Sequence, residues 1–179
     1  MMLVVLCLAG CGEGVKLDEN EVIVGNGTWQ VTREDDVYMI MDNNVLKNEE
    51  TLCVIDNIKE YKIFLLGEYL YVNTTEGAKQ IEIESGKMKK FGSGDIVAAR
   101  GRWIYYQSED NKQKTMTLYK IDMKEGRQLM LFADTIVEVE LMEGDAFYFK
   151  GISGNEYVNE LSEDEGYFYS EWLGEDVTE

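Results

Sequence analysis

In parts of this chain apolar and polar residues alternate. QIEIES, from Gln80 to Ser85, and LYKIDM, from Leu118 to Met123, are the clearest cases. A period of two puts every second side chain on one face, the mark of a strand with one buried and one wet side. Four stretches line up with one another: DDVYMIMDN, LGEYLYVNT, RGRWIYYQS and EGDAFYFKG. The last three share a glycine (Gly67, Gly101 and Gly144), one further residue, an aromatic or apolar run, and polar turn residues. Tyr38, Tyr69, Trp103 and Ala146 are the aligned positions.

An apolar run precedes each stretch: Trp29 to Val31, Ile63 to Leu66, Ile96 to Ala99, and Ile136 to Val139. Another follows each: Leu52 to Asp56, Gln80 to Glu84, Leu118 to Asp122, and Tyr157 to Leu161. The last three lead into turns at Gly86, Gly126 and Gly166, and then into a fourth run: Lys87 to Phe91, Gln128 to Phe132, and Tyr167 to Trp172. Glycine supplies the positive φ that such turns need. Each unit therefore reads as about four short strands in an antiparallel meander. The predicted fold is all-β: four meander repeats in a β-propeller-like body over residues 21–179, forming a small ring or an open arc. Val45 to Tyr61 also suits an amphipathic helix, with Leu52, Ile55 and Ile58 on one face, and Glu156 to Glu165 is acidic enough for helix or loop. Strands are the expectation in both places. Glu21 to Val24 is expected to serve as an extra strand that completes the last blade.

Composition narrows the function. The chain is 45% hydrophobic, enough for a buried core, yet its 35 acidic residues against 17 basic ones give a net charge of -18. Such a surface repels phosphate backbones, which argues against nucleic acid as a partner, and leaves cations or basic partners as the electrostatically favoured ones. With no histidine, Ser-His-Asp triads and histidine metal sites are excluded. With no proline, every connection rests on Gly, Asn, Asp and Ser turn chemistry.

The first ten residues, MMLVVLCLAG, carry no charge and end at Cys11. They are too few to span a bilayer, which takes roughly 20 apolar residues. They do match the apolar region of a secretory signal, although no basic residue precedes Cys11 and the doubled Met1-Met2 suggests a start further upstream. Leu8-Ala9-Gly10-Cys11 resembles the lipobox of bacterial lipoproteins. That resemblance implies a signal peptide over 1–10, diacylglycerol on the Cys11 sulfur, and cleavage that makes Cys11 the new N-terminus. It also implies a location on the extracytoplasmic face of the cell membrane, with the membrane as a partner through that lipid. Residues 11–20, rich in Gly and charge, read as a tether. The alternative is a buried N-terminal strand from Leu3 to Leu8. Cys53, in an apolar run, reads as a small buried hydrophobe. RWIYY and LYKIDM, with the repeats around them, resemble the repeats of propeller-like bacterial lipoproteins of unassigned function, distant relatives of YWTD and TolB-type propellers.

Candidate chemistry is sparse, and no cofactor or metal is implied. Glu109-Asp110-Asn111 and Ser162 to Glu165 are acidic loops without calcium-loop spacing. Gly92-Ser93-Gly94 is a turn, since no GK[ST] follows it. Asn26-Gly27-Thr28 and Asn73-Thr74-Thr75 match a glycosylation triplet, which means little in a bacterial lipoprotein. Of the aromatics Tyr69, Tyr71, Trp103, Tyr105, Tyr106, Tyr148 and Phe149, most are expected to pack between blades. Trp103, Tyr105 and Tyr106 are the candidates for stacking on a ligand, either a glycan or a protein segment. The leading expectation is a non-enzymatic, lipid-anchored binding or scaffold protein. A carboxylate-based glycan hydrolase and a truncated remnant of a larger propeller protein are the alternatives.

Overall fold

A computed structural model describes residues 22–110 and 115–130, with the strand segments 136–141, 146–151, 156–160 and 170–172. Among these residues every regular element is a strand. The first sheet holds β1 (Ile23–Val24), β2 (Gln30–Arg33), β3 (Asp36–Met41), β4 (Asn44–Lys47) and β5 (Glu50–Val54). The second holds β6 (Ile58–Leu66), β7 (Tyr69–Thr74), β8 (Gly77–Glu82) and β9 (Met88–Lys90). The third holds β10 (Asp95–Arg100), β11 (Trp103–Asp110), β12 (Thr115–Asp122) and β13 (Arg127–Met130). The fourth holds β14 (Ile136–Leu141), β15 (Ala146–Gly151), β16 (Glu156–Glu160) and β17 (Ser170–Trp172). Each sheet is an antiparallel meander in chain order. The first strands lie inward: β6 packs on β2 and β3, β10 on β6 and β7, and β14 on β10 and β12. The body is all-β and propeller-like.

The core follows from the strand period. In β6, Ile63 and Leu65 join Val31, Tyr38, Ile40 and Val45 in a cluster between the first and second sheets. Phe64 and Leu66 point the other way and join Tyr71, Ile96, Ile104 and Tyr106 between the second and third. All four β6 residues are buried because a neighbouring sheet covers each face of the strand.

Side-chain amides tie the sheets together. Asn26 Oδ1 accepts from Leu65 N at 2.6 Å, and its Nδ2 donates to Leu65 O at 3.0 Å and to Ala99 O at 3.2 Å. Asn73 does the same one sheet later: its Oδ1 accepts from Ile96 N and its Nδ2 donates to Ile96 O, both at 2.8 Å. Beside Asn26, Ile63 trades backbone bonds with the Gly27–Thr28 turn, at 2.9 and 2.8 Å. The free edges of β6 and β10 thus find partners in the preceding unit, as buried backbone groups must.

Three details of the repeat reading are corrected. The run Leu52 to Asp56 is the fourth strand of its unit, and the third is β4. That strand lies between turns built on Asp42 (φ 54°), Asn48 (φ 50°) and Glu49 (φ 70°), with no glycine to mark them. Second, the first unit aligns with a two-residue offset. Asp36 faces Arg33 as Tyr69 faces Leu66 and Trp103 faces Arg100. Glu34 (φ 53°) makes the turn that Gly67 (φ 56°) and Gly101 (φ 53°) make elsewhere. An offset of two keeps the same face inward, so the pattern survived the misalignment. Third, Ile23–Val24 pairs with β2 in the first sheet and does not complete the last blade. The helix considered for Val45 to Tyr61 is instead parts of β4, β5 and β6, and β16 covers Glu156–Glu160. Gly144 and Gly166 lie outside the described residues.

Candidate functional site

At one end of the first two sheets the turns part around a cleft of about 610 Å³, within the usual range for small-molecule sites. Arg33, Lys47, Asn48, Glu50, Thr51 and Leu52 line one wall, and Glu68, Glu82, Ile83 and Glu84 line the other. The β4–β5 hairpin shapes the first wall. Asn48, in the left-handed region that asparagine tolerates, accepts from Val37 N at 2.8 Å and donates to Asp36 Oδ1 at 2.9 Å. Lys47 Nζ lies 2.8 Å from Asp36 Oδ2, and Tyr38 donates its hydroxyl to the same oxygen at 3.2 Å. The Lys47 hydrogen bond holds the Asp36 carboxyl below its ordinary range and raises the ammonium in return. Arg33 Nη1 donates to Gly67 O at 2.6 Å across the gap. Glu50, Glu68, Glu82 and Glu84 put four carboxylates in the lining beside these two cations. Ser85 donates to Glu82 Oε2 and fixes one of these carboxylates.

The three rings chosen from sequence lie elsewhere. Trp103, Tyr105 and Tyr106 sit on β11 with 4%, 2% and 7% exposure, so none offers a face to solvent. Tyr106 packs toward the second sheet, edge-on to Phe91 at 5.8 Å, and its hydroxyl accepts from Gly94 N. Trp103 and Tyr105 face the other way, against Lys120. Gly92-Ser93-Gly94 is a tight link between β9 and β10, as expected of a turn. A Cβ on Gly94 would lie 2.0 Å from Gln107 O. Tyr71 is buried as expected, whereas the side chains of Tyr148 and Phe149 lie outside the described residues, as do Leu8, Ala9, Gly10 and Cys11. Among the described residues no group of three or more acidic or thiol side chains is placed to hold a metal ion, and no helix is long and apolar enough to cross a membrane.

The residues that sequence reasoning passed over are polar. Asn26 and Asn73 had drawn notice only as glycosylation triplets, and both are inter-sheet ties. The cleft residues come from five separate stretches and share no motif.

Cys53 is half-buried on β5 and packs on the first core cluster. Burial pushes its thiol up to about 11. With Cys7 and Cys11 replaced by serine, alkylation of Cys53 at pH 7.5 is expected to run about 100-fold slower in the folded chain than in urea, since only the thiolate reacts. Equal rates measured by mass spectrometry would contradict this placement.

No family model matches the chain, and neither does any curated protein. Among solved structures the chain is similar to one from S. cerevisiae that contains variant forms of dbp5 and gle1 with nup159, IP6 and ADP. The TM-score is 0.45 and the identity 8%, over 78% of this chain and 45% of that one, so the chain spans less than half of its length.

Proposed function

We propose that this chain is a non-catalytic binding protein, held by lipid on Cys11 at the extracytoplasmic face of a bacterial cell membrane, and that its cleft takes a cationic ligand such as an amine or a basic peptide segment. The observation that carries the ligand class is the cleft lining. Four carboxylates, Glu50, Glu68, Glu82 and Glu84, line it with two cations, and one of those cations, Lys47, pairs with Asp36 outside that set. A net charge of -18 reinforces that field and steers positive ligands toward it. The anchoring rests on Leu8-Ala9-Gly10-Cys11, whose resemblance to a lipobox implies a double acyl anchor. Two chains hold a protein at a bilayer where one binds only marginally. Such an anchor offsets the repulsion between an acidic body and anionic headgroups.

Two measurements test the proposal separately. Mass spectrometry of membrane-extracted protein is expected to find diacylglycerol on an N-terminal Cys11; an unmodified Cys11 still joined to MMLVVLCLAG would overturn the anchor. Calorimetric titration with spermidine and with a short oligolysine is expected to show binding that weakens about 3- to 10-fold in Glu50→Gln/Glu84→Gln, the loss expected for two partly exposed ion pairs. Binding of a neutral glycan instead, or its hydrolysis, would overturn the ligand class and favour the hydrolase.

A further inference from the structure

We infer that the outward face of the first sheet is a docking surface for the same face of a second copy of this chain. Val31, Tyr38, Ile40 and Val45 point into the cluster shared with the second sheet. Their neighbours along the strands therefore point the other way. Register lines these up across the sheet: Val24 with Thr32 and Val37, Met39 with Gln30 and Leu46, and Met41 with Asn44 and Val54. Among the described strands, sheet packing runs from the first to the second, the second to the third and the third to the fourth, so this face ends the stack.

Every one of these outward positions is uncharged. The apolar ones are Val24, Val37, Met39, Met41, Leu46 and Val54, and the polar ones are Gln30, Thr32, Asn44 and Thr51. The chain around them is 29% charged, with a net charge of -18. Leu46, at the centre, is buried, but Val24, Met41 and Val54 are 63%, 57% and 58% exposed. The face measures about 24 Å across its five strands and about 15 Å along them. An apolar patch of that extent marks an interaction surface.

The chemistry of the face selects a copy of itself. Hydroxyls and side-chain amides both donate and accept, so Gln30, Thr32, Asn44 and Thr51 can pair with their own counterparts across a twofold axis. Two neutral faces also meet without setting carboxylates against carboxylates, which contacts through the acidic remainder of the surface would do. Successive sheets of this chain already pack on one another, and a twofold pair repeats that packing at about 10 Å. A face of about 350 Å² in plan on each copy is on the scale of a weak, reversible association.

The test is sedimentation equilibrium of the full chain carrying Cys7→Ser and Cys11→Ser, which exclude disulfide and lipid. A monomer is expected at about 5 µM and mainly dimer by about 500 µM. Apolar contact joins the copies while their net charge pushes them apart. Raising sodium chloride from about 50 to 500 mM should therefore strengthen the dimer, the reverse of an ion-paired complex. Met41→Lys/Val54→Lys should weaken it at least about 10-fold without lowering the unfolding midpoint, since both side chains are exposed. The two substitutions reduce the net negative charge, so added repulsion could not account for the loss. A chain still monomeric at about 500 µM in high salt would overturn the proposal. So would a dimer indifferent to Met41→Lys/Val54→Lys, which would place the contact on another face. Flotation of a monomeric chain with phosphatidylcholine vesicles, lost in Met41→Lys/Val54→Lys, would also overturn it and assign the face to a bilayer.

Discussion

Replacing Asn73 by leucine is expected to cost about 2–5 kcal/mol, because it orphans two buried backbone groups at once. The side chain is 1% exposed and bonds both Ile96 N and Ile96 O, each at 2.8 Å. Leucine is close in shape but offers neither a donor nor an acceptor. Leaving one buried group unsatisfied costs about 1–3 kcal/mol, well above the net worth of an average hydrogen bond. Neither group can turn to solvent, since Asn73 and Ile96 both lie between the second and third sheets. Urea unfolding followed by tryptophan fluorescence gives the stability, and amide exchange at Ile96 gives the local effect. A loss under about 1 kcal/mol would mean that the sheets hold together without this tie.

Gly77→Ala should destabilise at least as much, by about 3–5 kcal/mol, through strain and overlap together. Gly77 opens β8 at φ 105°, a conformation that L side chains rarely adopt. An added Cβ would lie 2.2 Å from Gly92 O and 2.7 Å from Ser93 Cα, both backbone atoms of the link to the third sheet. Relief would require moving that link, which Ala78 N holds through a 2.9 Å bond to Gly94 O. Gly101→Ala is the internal control. It has positive φ, 53°, with nothing within 4 Å of its Cβ position, so it carries the conformational cost alone, about 1–2 kcal/mol. Equal losses at the two sites would show that overlap at Gly77 is relieved cheaply.

Strand identity was legible because period-two alternation survives in QIEIES, which begins on β8, and in LYKIDM on β12, and because the apolar runs YLYV on β7 and WIYY on β11 are short and bounded by turn residues. The meander was legible where glycine marked the turns, and it slipped at β4, where Asp42, Asn48 and Glu49 do the same work. Alternation misled in one respect. Lys120 and Asp122 occupy the polar positions of LYKIDM, which a single sheet would leave wet. Here a sheet packs on each side, and both residues are fully buried. The same stacking hides Trp103, Tyr105 and Tyr106, the candidates for stacking on a ligand. Period reports which side chains share a face; it does not report whether another sheet covers that face. The cleft was illegible for a related reason. It exists only where the ends of two sheets diverge, and its residues come from five stretches with no spacing in common.

The asparagine ties have a consequence for self-association. The inner strand of a meander ordinarily presents a bare row of N–H and C=O groups, a template on which a foreign strand can grow. In β6 that row is occupied at Ile63 and Leu65, and in β10 at Ile96, by partners from the preceding unit. At the opposite margin of the second sheet, β9 is three residues long and carries Lys89 and Lys90, both exposed, which discourages strand addition by charge. In the second sheet one edge is thus occupied by the preceding unit and the other guarded by lysines, which leaves neither open to strand addition.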